Sequence, residues 1–158
     1  MEGFSEVSLD LQLVIALKVA IAGVLSALIG WERDRAGKAA GTRTMALVGT
    51  SAAIVVAVGD VLNSGPLAGD PTRALHAVVT GIGFLGAGLI FTTERSKEIQ
   101  GVTTAATVFS TACMGVAIGL GFIVTGLIFA LVTIAILRST YVIDKAHAVR
   151  SLTKEVEE

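Results

Sequence analysis

The sequence predicts an all-α fold, an integral membrane bundle of about five transmembrane helices with the N-terminus outside and the C-terminus cytoplasmic. Three observations lead there. The 158 residues are 53% hydrophobic with a mean hydropathy of +0.79, whereas a soluble domain breaks its apolar runs with charge every few positions. The charged residues, 16% of the chain, collect between apolar segments that each approach the roughly 20 residues an α-helix needs to cross the hydrocarbon core. Finally, Lys and Arg alternate from loop to loop. None precedes the first segment, four follow it (Arg33, Arg35, Lys38, Arg43), one follows the second (Arg73), two the third (Arg95, Lys97), none the fourth, and four lie in the tail (Arg138, Lys145, Arg150, Lys154). This alternation obeys the positive-inside rule and sets the orientation.

The elements follow in order. The opening MEGFSEVSLD holds three acids and no base, the reverse of a signal peptide, so the first apolar segment is expected to remain in the mature protein. Helix one is expected over residues 11–31, with Ala16, Ala20, Gly23, Ala27 and Gly30 as a small-residue seam. Helix two takes residues 44–62. The segment SGPLAGDP, with both prolines, Pro66 and Pro71, makes an outer loop before helix three at residues 74–91. Residues 99–137 carry no charge and are too long for one crossing. The turn Gly119-Leu120-Gly121 divides them into helices at 102–118 and 122–137. Trp31, Phe91, Phe122 and Tyr141 fall at helix ends, where aromatic rings favour the interface. The chain thus divides into a transmembrane domain, 1–140, and a short cytoplasmic tail, 141–158, whose Val142, Ala146, Val149, Leu152 and Val156 have amphipathic spacing.

Helix three organises the expected packing. Gly81-x-Gly83-x-x-Gly86 matches the dinucleotide-binding fingerprint as a pattern, but that motif needs a preceding strand and a helix opening at the glycines. Here the glycines lie inside an apolar run. Together with Gly88 they place small residues on two faces, which let neighbouring helix backbones approach closely in lipid. Helix three is therefore expected at the centre of the bundle, between the seam of helix one and that of helix four (Gly101, Ala105, Ala112, Gly115, Gly119).

Polar residues are few. Lys18 lies about a third of the way into helix one, a depth at which a charge is a functional candidate or snorkels outward. Thr103, Thr107 and Ser110 form a polar stripe on helix four that either lines a hydrated path or bonds to the helix's own carbonyls. At the outer surface Asp70 and Arg73 are spaced for a local ion pair. Asp10, Asp60 and Asp70 are the outer carboxylates that could serve a hard cation such as magnesium, and the spacing defines no metal site. Cys113 is single, which excludes an intramolecular disulfide and a cysteine metal cluster. No nucleophile, base and orienting group stand at catalytic spacing, so an enzyme is not expected and no cofactor is implied. The net charge of −1 with bases segregated by loop implies no nucleic-acid partner. The partners expected are the lipid bilayer, further copies of the chain and another membrane protein.

Several ordered motifs carry a family resemblance: Gly30-Trp31-Glu32-Arg33-Asp34, Ala40-Gly41-Thr42-Arg43-Thr44, Asp70-x-x-Arg73, the run Val79 to Gly88, and Gly101-Val102-Thr103-Thr104-Ala105-Ala106. Over nearly the whole chain they resemble the MgtC/SapB family of bacterial inner-membrane proteins. The resemblance implies a multi-pass protein of the bacterial inner membrane, tied to magnesium homeostasis and, in some pathogens, to survival inside host cells. It marks Glu32, Arg33, Arg43, Asp70, Arg73, the four glycines of helix three, Thr103 and Thr104 as characteristic residues. It also implies a short form, since longer members add a soluble C-terminal domain. Two functions stay open on this basis: regulation of partner membrane proteins, or an ion channel or carrier.

Overall fold

The computed structural model describes residues 7–63, 70, 72–92 and 99–156, with the side chains of 92 and 140–156 excepted. Its helices are α1 (Leu9–Arg35), α2 (Thr42–Asn63), α3 (Arg73–Leu89), α4 (Val102–Gly119) and α5 (Ile123–Val156). Five helices thus stand where the apolar segments predict them. Between α3 and α4 a two-residue antiparallel ladder joins β1 (Phe91–Thr92) to β2 (Ile99–Gln100). α1, α2 and α4 are each long and apolar enough to cross a membrane, while α3 and residues 123–139 form shorter apolar helices. Much of the surface is hydrophobic: Leu13, Leu17 and Val24 of α1 and Val124, Leu131 and Ile136 of α5 are exposed. Such a surface suits lipid and would be costly in water.

Local chemistry sets the helix ends. The Ser8 hydroxyl accepts from the Leu11 amide at 3.4 Å and caps α1. α1 and α4 both close with a left-handed glycine, Gly37 at φ +65° and Gly121 at φ +96°. In each case the glycine N–H and the one after it bond back to the last helical carbonyls: Gly37 to Asp34 and Lys38 to Arg33, Gly121 to Ile118 and Phe122 to Ala117. This paired capping satisfies carbonyls that the helix itself leaves free. α5 runs without interruption into the tail, so the boundary expected near residue 140 is not a break in the helix. Pro66, Pro71, Arg95, Lys97 and the tail's side chains lie outside the described residues.

The bundle is not centred on α3. Ten of the 18 residues of α4 are buried, and in α3 only Ile82 is. α4 touches each of the other four helices and is the axis of the fold. Its seam packs on α2: a Cβ on Gly115 would meet the Gly49 carbonyl oxygen, and one on Gly119 would lie 2.5 Å from the Ala53 oxygen. The seam of α1 also serves α2. A Cβ on Gly23 would lie 2.9 Å from Thr50 Cγ2, and one on Gly30 would lie 2.5 Å from Thr42 Cα. Small residues therefore bring α1, α2 and α4 close enough for dispersion contacts along their backbones. Ala22, Ile29, Ala53, Met114 and Ile118 fill one core cluster and Met45, Ala52, Ile82, Val108 and Ala112 the other.

Gly81, Gly83 and Gly88 correct the expected packing, because a Cβ added at any of them would meet nothing within 4 Å among the described residues. Of the four, only Gly86 faces a described neighbour, since a Cβ added there would lie 3.9 Å from Ala105 Cβ of α4. α3 is a peripheral helix with open small-residue positions. A groove of about 380 Å³ runs between it and α2, lined by Leu47, Ser51, Val55, Val78, Gly81 and Leu85 among others.

Candidate functional site

The polar residues concentrate at one end of the bundle, where α1 ends and α2 and α4 begin. Ala22, Ser26, Ile29, Gly30 and Arg33 form one buried stripe of α1 at helical spacing. The stripe carries the Arg33 guanidinium inward, to 4% exposure, and its Nη2 donates to Thr104 Oγ1 of α4 at 3.4 Å. Arg33 Nε has no partner. Neighbouring Glu32 is 9% exposed, and its Oε2 also lacks a partner. Buried polar groups are normally hydrogen-bonded, so an unpartnered Arg33 Nε and an unpartnered Glu32 Oε2 at the same end of α1 are an anomaly of the kind that marks function.

Around this centre the turn is firmly built. The Asp34 carboxylate accepts from the Thr42 amide at 2.9 Å and the Thr42 hydroxyl at 2.6 Å, closing the first turn of α2. A side chain at Gly41 would collide with that carboxylate. Trp31 is exposed at the helix end, with the Arg35 guanidinium 3.9 Å above its ring, an arrangement at home in the membrane interface.

The remaining motif residues do not join this cluster. Arg43 and Thr103 are exposed. Asp70 and Arg73 lie at the start of α3, and the expected ion pair is replaced by a local turn. The Asp70 carboxylate accepts from the Thr72 amide at 2.9 Å and the Thr72 hydroxyl at 2.7 Å. Those bonds hold its pKa below the usual carboxylate value. The stripe on α4 also has a different phase. Thr104, Thr107 and Thr111 are buried, Ser110 is half-buried, and the hydroxyls of Thr107 and Thr111 bond to carbonyls of Thr103 and Thr107. Among the described residues no three of His, Cys, Asp and Glu gather as a metal site.

Two contributors escaped the sequence reading. Thr111 is fully buried with Oγ1 3.5 Å from Met45 Sδ, and Ser26 is fully buried with its hydroxyl unpartnered. The spacing of Ala22, Ser26, Ile29 and Arg33 is the signal that could have found the second. Lys18 does not simply reach outward: its Nζ donates to the Gly119 carbonyl at 3.2 Å, placing a cation on the negative end of α4.

An apolar helical bundle with a buried charge centre at one end defines a class, a membrane protein built on small-residue helix seams. The MgtC family model matches residues 19–146, and the chain belongs to that family. It is 37% identical over 126 residues to YhiD of Escherichia coli strain K12, covering 77% of this chain and 58% of that one. It is 38% identical over 135 residues to the protein SrpB of Synechococcus elongatus, covering 77% and 73%. To the protein MgtC of Brucella abortus it is 40% identical over 100 residues, covering 63% and 40%. The match with YhiD thus spans less than two thirds of that relative's length. No solved structure matches.

Proposed function

We propose that this chain is a multi-pass protein of the bacterial inner membrane, N-terminus outside and C-terminus cytoplasmic, that serves magnesium homeostasis or adaptation to low magnesium by regulating partner membrane proteins. It carries out no catalysis of its own. Family membership supports the physiological setting, and the name of YhiD assigns that relative, provisionally, to magnesium transport. The observation that favours regulation is the open glycine positions of α3. Gly81 and Gly88 on one side of α3 and Gly83 on the other leave room for another helix to approach closely, and no helix among the described residues uses that room. The same positions would serve self-association.

Complementation under magnesium limitation tests this reading. In a strain lacking the gene, the native chain restores growth and Gly83→Leu does not, although the variant accumulates and melts like the native protein. Full rescue by Gly83→Leu would remove the partner-docking role of α3.

The second reading is an ion channel or carrier. What favours it is the buried run of Thr104, Thr107 and Thr111 on α4, with Arg33 toward one end of the bundle and Lys18 toward the other. Against it, the Thr107 and Thr111 hydroxyls are engaged with their own helix, and Arg43, Asp70 and Arg73 stay on the surface. Magnesium flux into liposomes under an applied potential, abolished by Thr111→Val, would replace regulation with transport.

A further inference from the structure

At the end of the bundle opposite Trp31, the helices stop at two different levels. Trp31, with Arg35 over its ring, marks one membrane interface on α1. At about 1.5 Å per residue, Asp10 lies about 32 Å from Trp31, close to the roughly 30 Å of a hydrocarbon core, so it stands at the far boundary. Lys18 lies only about 20 Å from Trp31, yet α4 already ends there. Its Nζ donates to the Gly119 carbonyl at 3.2 Å, and a Cβ on Gly121 would lie 3.6 Å from that nitrogen. α4 gives the same short span independently: it meets Arg33 through Thr104, and from Thr104 to Gly119 the rise is about 22 Å.

α2 and α3 show the same step. Gly119 packs on α2, where a Cβ added to it would lie 2.5 Å from the Ala53 oxygen, and α2 then continues about 10 Å further to Asp60. α3 begins at the higher level, since a Cβ on Gly59 would lie 2.7 Å from Ala74 Cβ, next to Arg73. Asp10, Asp60 and Arg73 therefore carry charge about 10 Å beyond the turn that joins α4 to α5.

At full bilayer thickness that turn would lie inside hydrocarbon. Gly121 and Phe122 are exposed there, beside the Lys18 ammonium. Lipid-exposed backbone that is not helical does not occur in the hydrocarbon region, and a charge at such depth is costly. A bilayer meets a short span by thinning, at a modest cost per ångström. We infer that the bilayer is thinned beside the α4–α5 hairpin, with lipid headgroups descending to Lys18 and residues 120–122 while they keep their ordinary level beside α1. The hairpin's end is thus an interaction surface whose partner is a lipid headgroup layer. Lipid phosphate is the charge complement of the Lys18 ammonium, and Val124, Leu131 and Ile136 of α5 are exposed as a lipid-facing helix requires. Thinning requires only that the helices span a bilayer, and it holds for a regulator and a transporter alike.

Leu17 and Phe122 provide the test, because both are 61% exposed and stand at the level of Lys18, one on α1 and the other at the hairpin. Leu17→Trp and Phe122→Trp are each made with Trp31→Phe, so that one indole remains in the chain. Each full-length variant is reconstituted in phosphatidylcholine brominated either near the headgroup or near the end of the acyl chain. Thinning predicts that the indole at position 122 is quenched mainly by the shallow bromines and the indole at position 17 mainly by the deep ones. Val124→Trp, at a position 70% exposed in the first turn of α5, reports on the same side if Phe122→Trp does not fold. Equal quenching depth on the two sides would overturn the inference. So would an indole at the hairpin that neither lipid quenches, since protein would then stand where thinned lipid is inferred.

Discussion

A methyl group added at Gly115 meets the Gly49 carbonyl oxygen, while one added at Gly81 meets no atom within 4 Å among the described residues. Both glycines sit in apolar helices, yet they have opposite consequences for stability. Gly115→Ala overpacks the α2–α4 seam against backbone that cannot turn aside, and costs about 1–3 kcal/mol. Gly81→Ala removes a helix-interior glycine without a clash and raises stability by up to about 1 kcal/mol. Melting curves in detergent followed by circular dichroism check both, and the reverse order of the two variants would make α3 the inner helix. Asp70 gives a pH dependence at the same scale. Its pKa is lowered in the folded chain by the Thr72 amide and hydroxyl, so its contribution is fully present above the ordinary carboxylate pKa and is lost as pH falls through the lowered value. Thr72→Ala deletes the hydroxyl bond and keeps the amide bond, so it weakens that dependence without abolishing it, which the amide exchange of the first turn of α3 reads at pH 3 against pH 7.

Among the elements, the turn from α4 to α5 shows how much a local pattern can carry. Gly119-Leu120-Gly121 in an uncharged stretch indicates a break, and the structure closes it with Gly121 at φ +96° and the carbonyls of Ile118 and Ala117. Gly121→Val forces a branched side chain into the left-handed region and costs at least about 1 kcal/mol. Lys18→Met removes the donor to the Gly119 carbonyl and costs about 1 kcal/mol. The two should combine non-additively, since Lys18 Nζ lies 3.6 Å from where a Cβ on Gly121 would stand. Hydropathy and the Gly119-Leu120-Gly121 turn locate all five helices because those signals are local. The arrangement of α3 was not legible for a physical reason. Small residues permit close approach without stating whether the neighbour belongs to the same chain, and Gly81 and Gly83 carry the same code as Gly115 and Gly119. The candidate site was legible as residue types, Glu32, Arg33 and Thr104, and not as a constellation. The Arg33–Thr104 bond joins positions 71 apart in sequence, and mixed charges at a helix end read equally well as solvated.

At the scale of the whole molecule, α1, α2 and α4 form an inner unit held by glycine seams, with α3 and α5 applied to it. The characteristic residues separate accordingly. Glu32, Arg33 and Thr104 are buried at one end, Arg43 and Thr103 remain at the surface, and Asp70 and Arg73 start a peripheral helix. Such a molecule presents one firm core and one peripheral helix, α3, whose glycine positions are open to another helix. The most direct measurement places a photoreactive side chain at Gly83 or at Ala112 and irradiates magnesium-starved cells. The account predicts adducts to a second polypeptide from position 83, identified by mass spectrometry as one membrane protein or another copy of this chain, and none from buried position 112. Adducts between chains from position 112, or only internal cross-links from position 83, would contradict it.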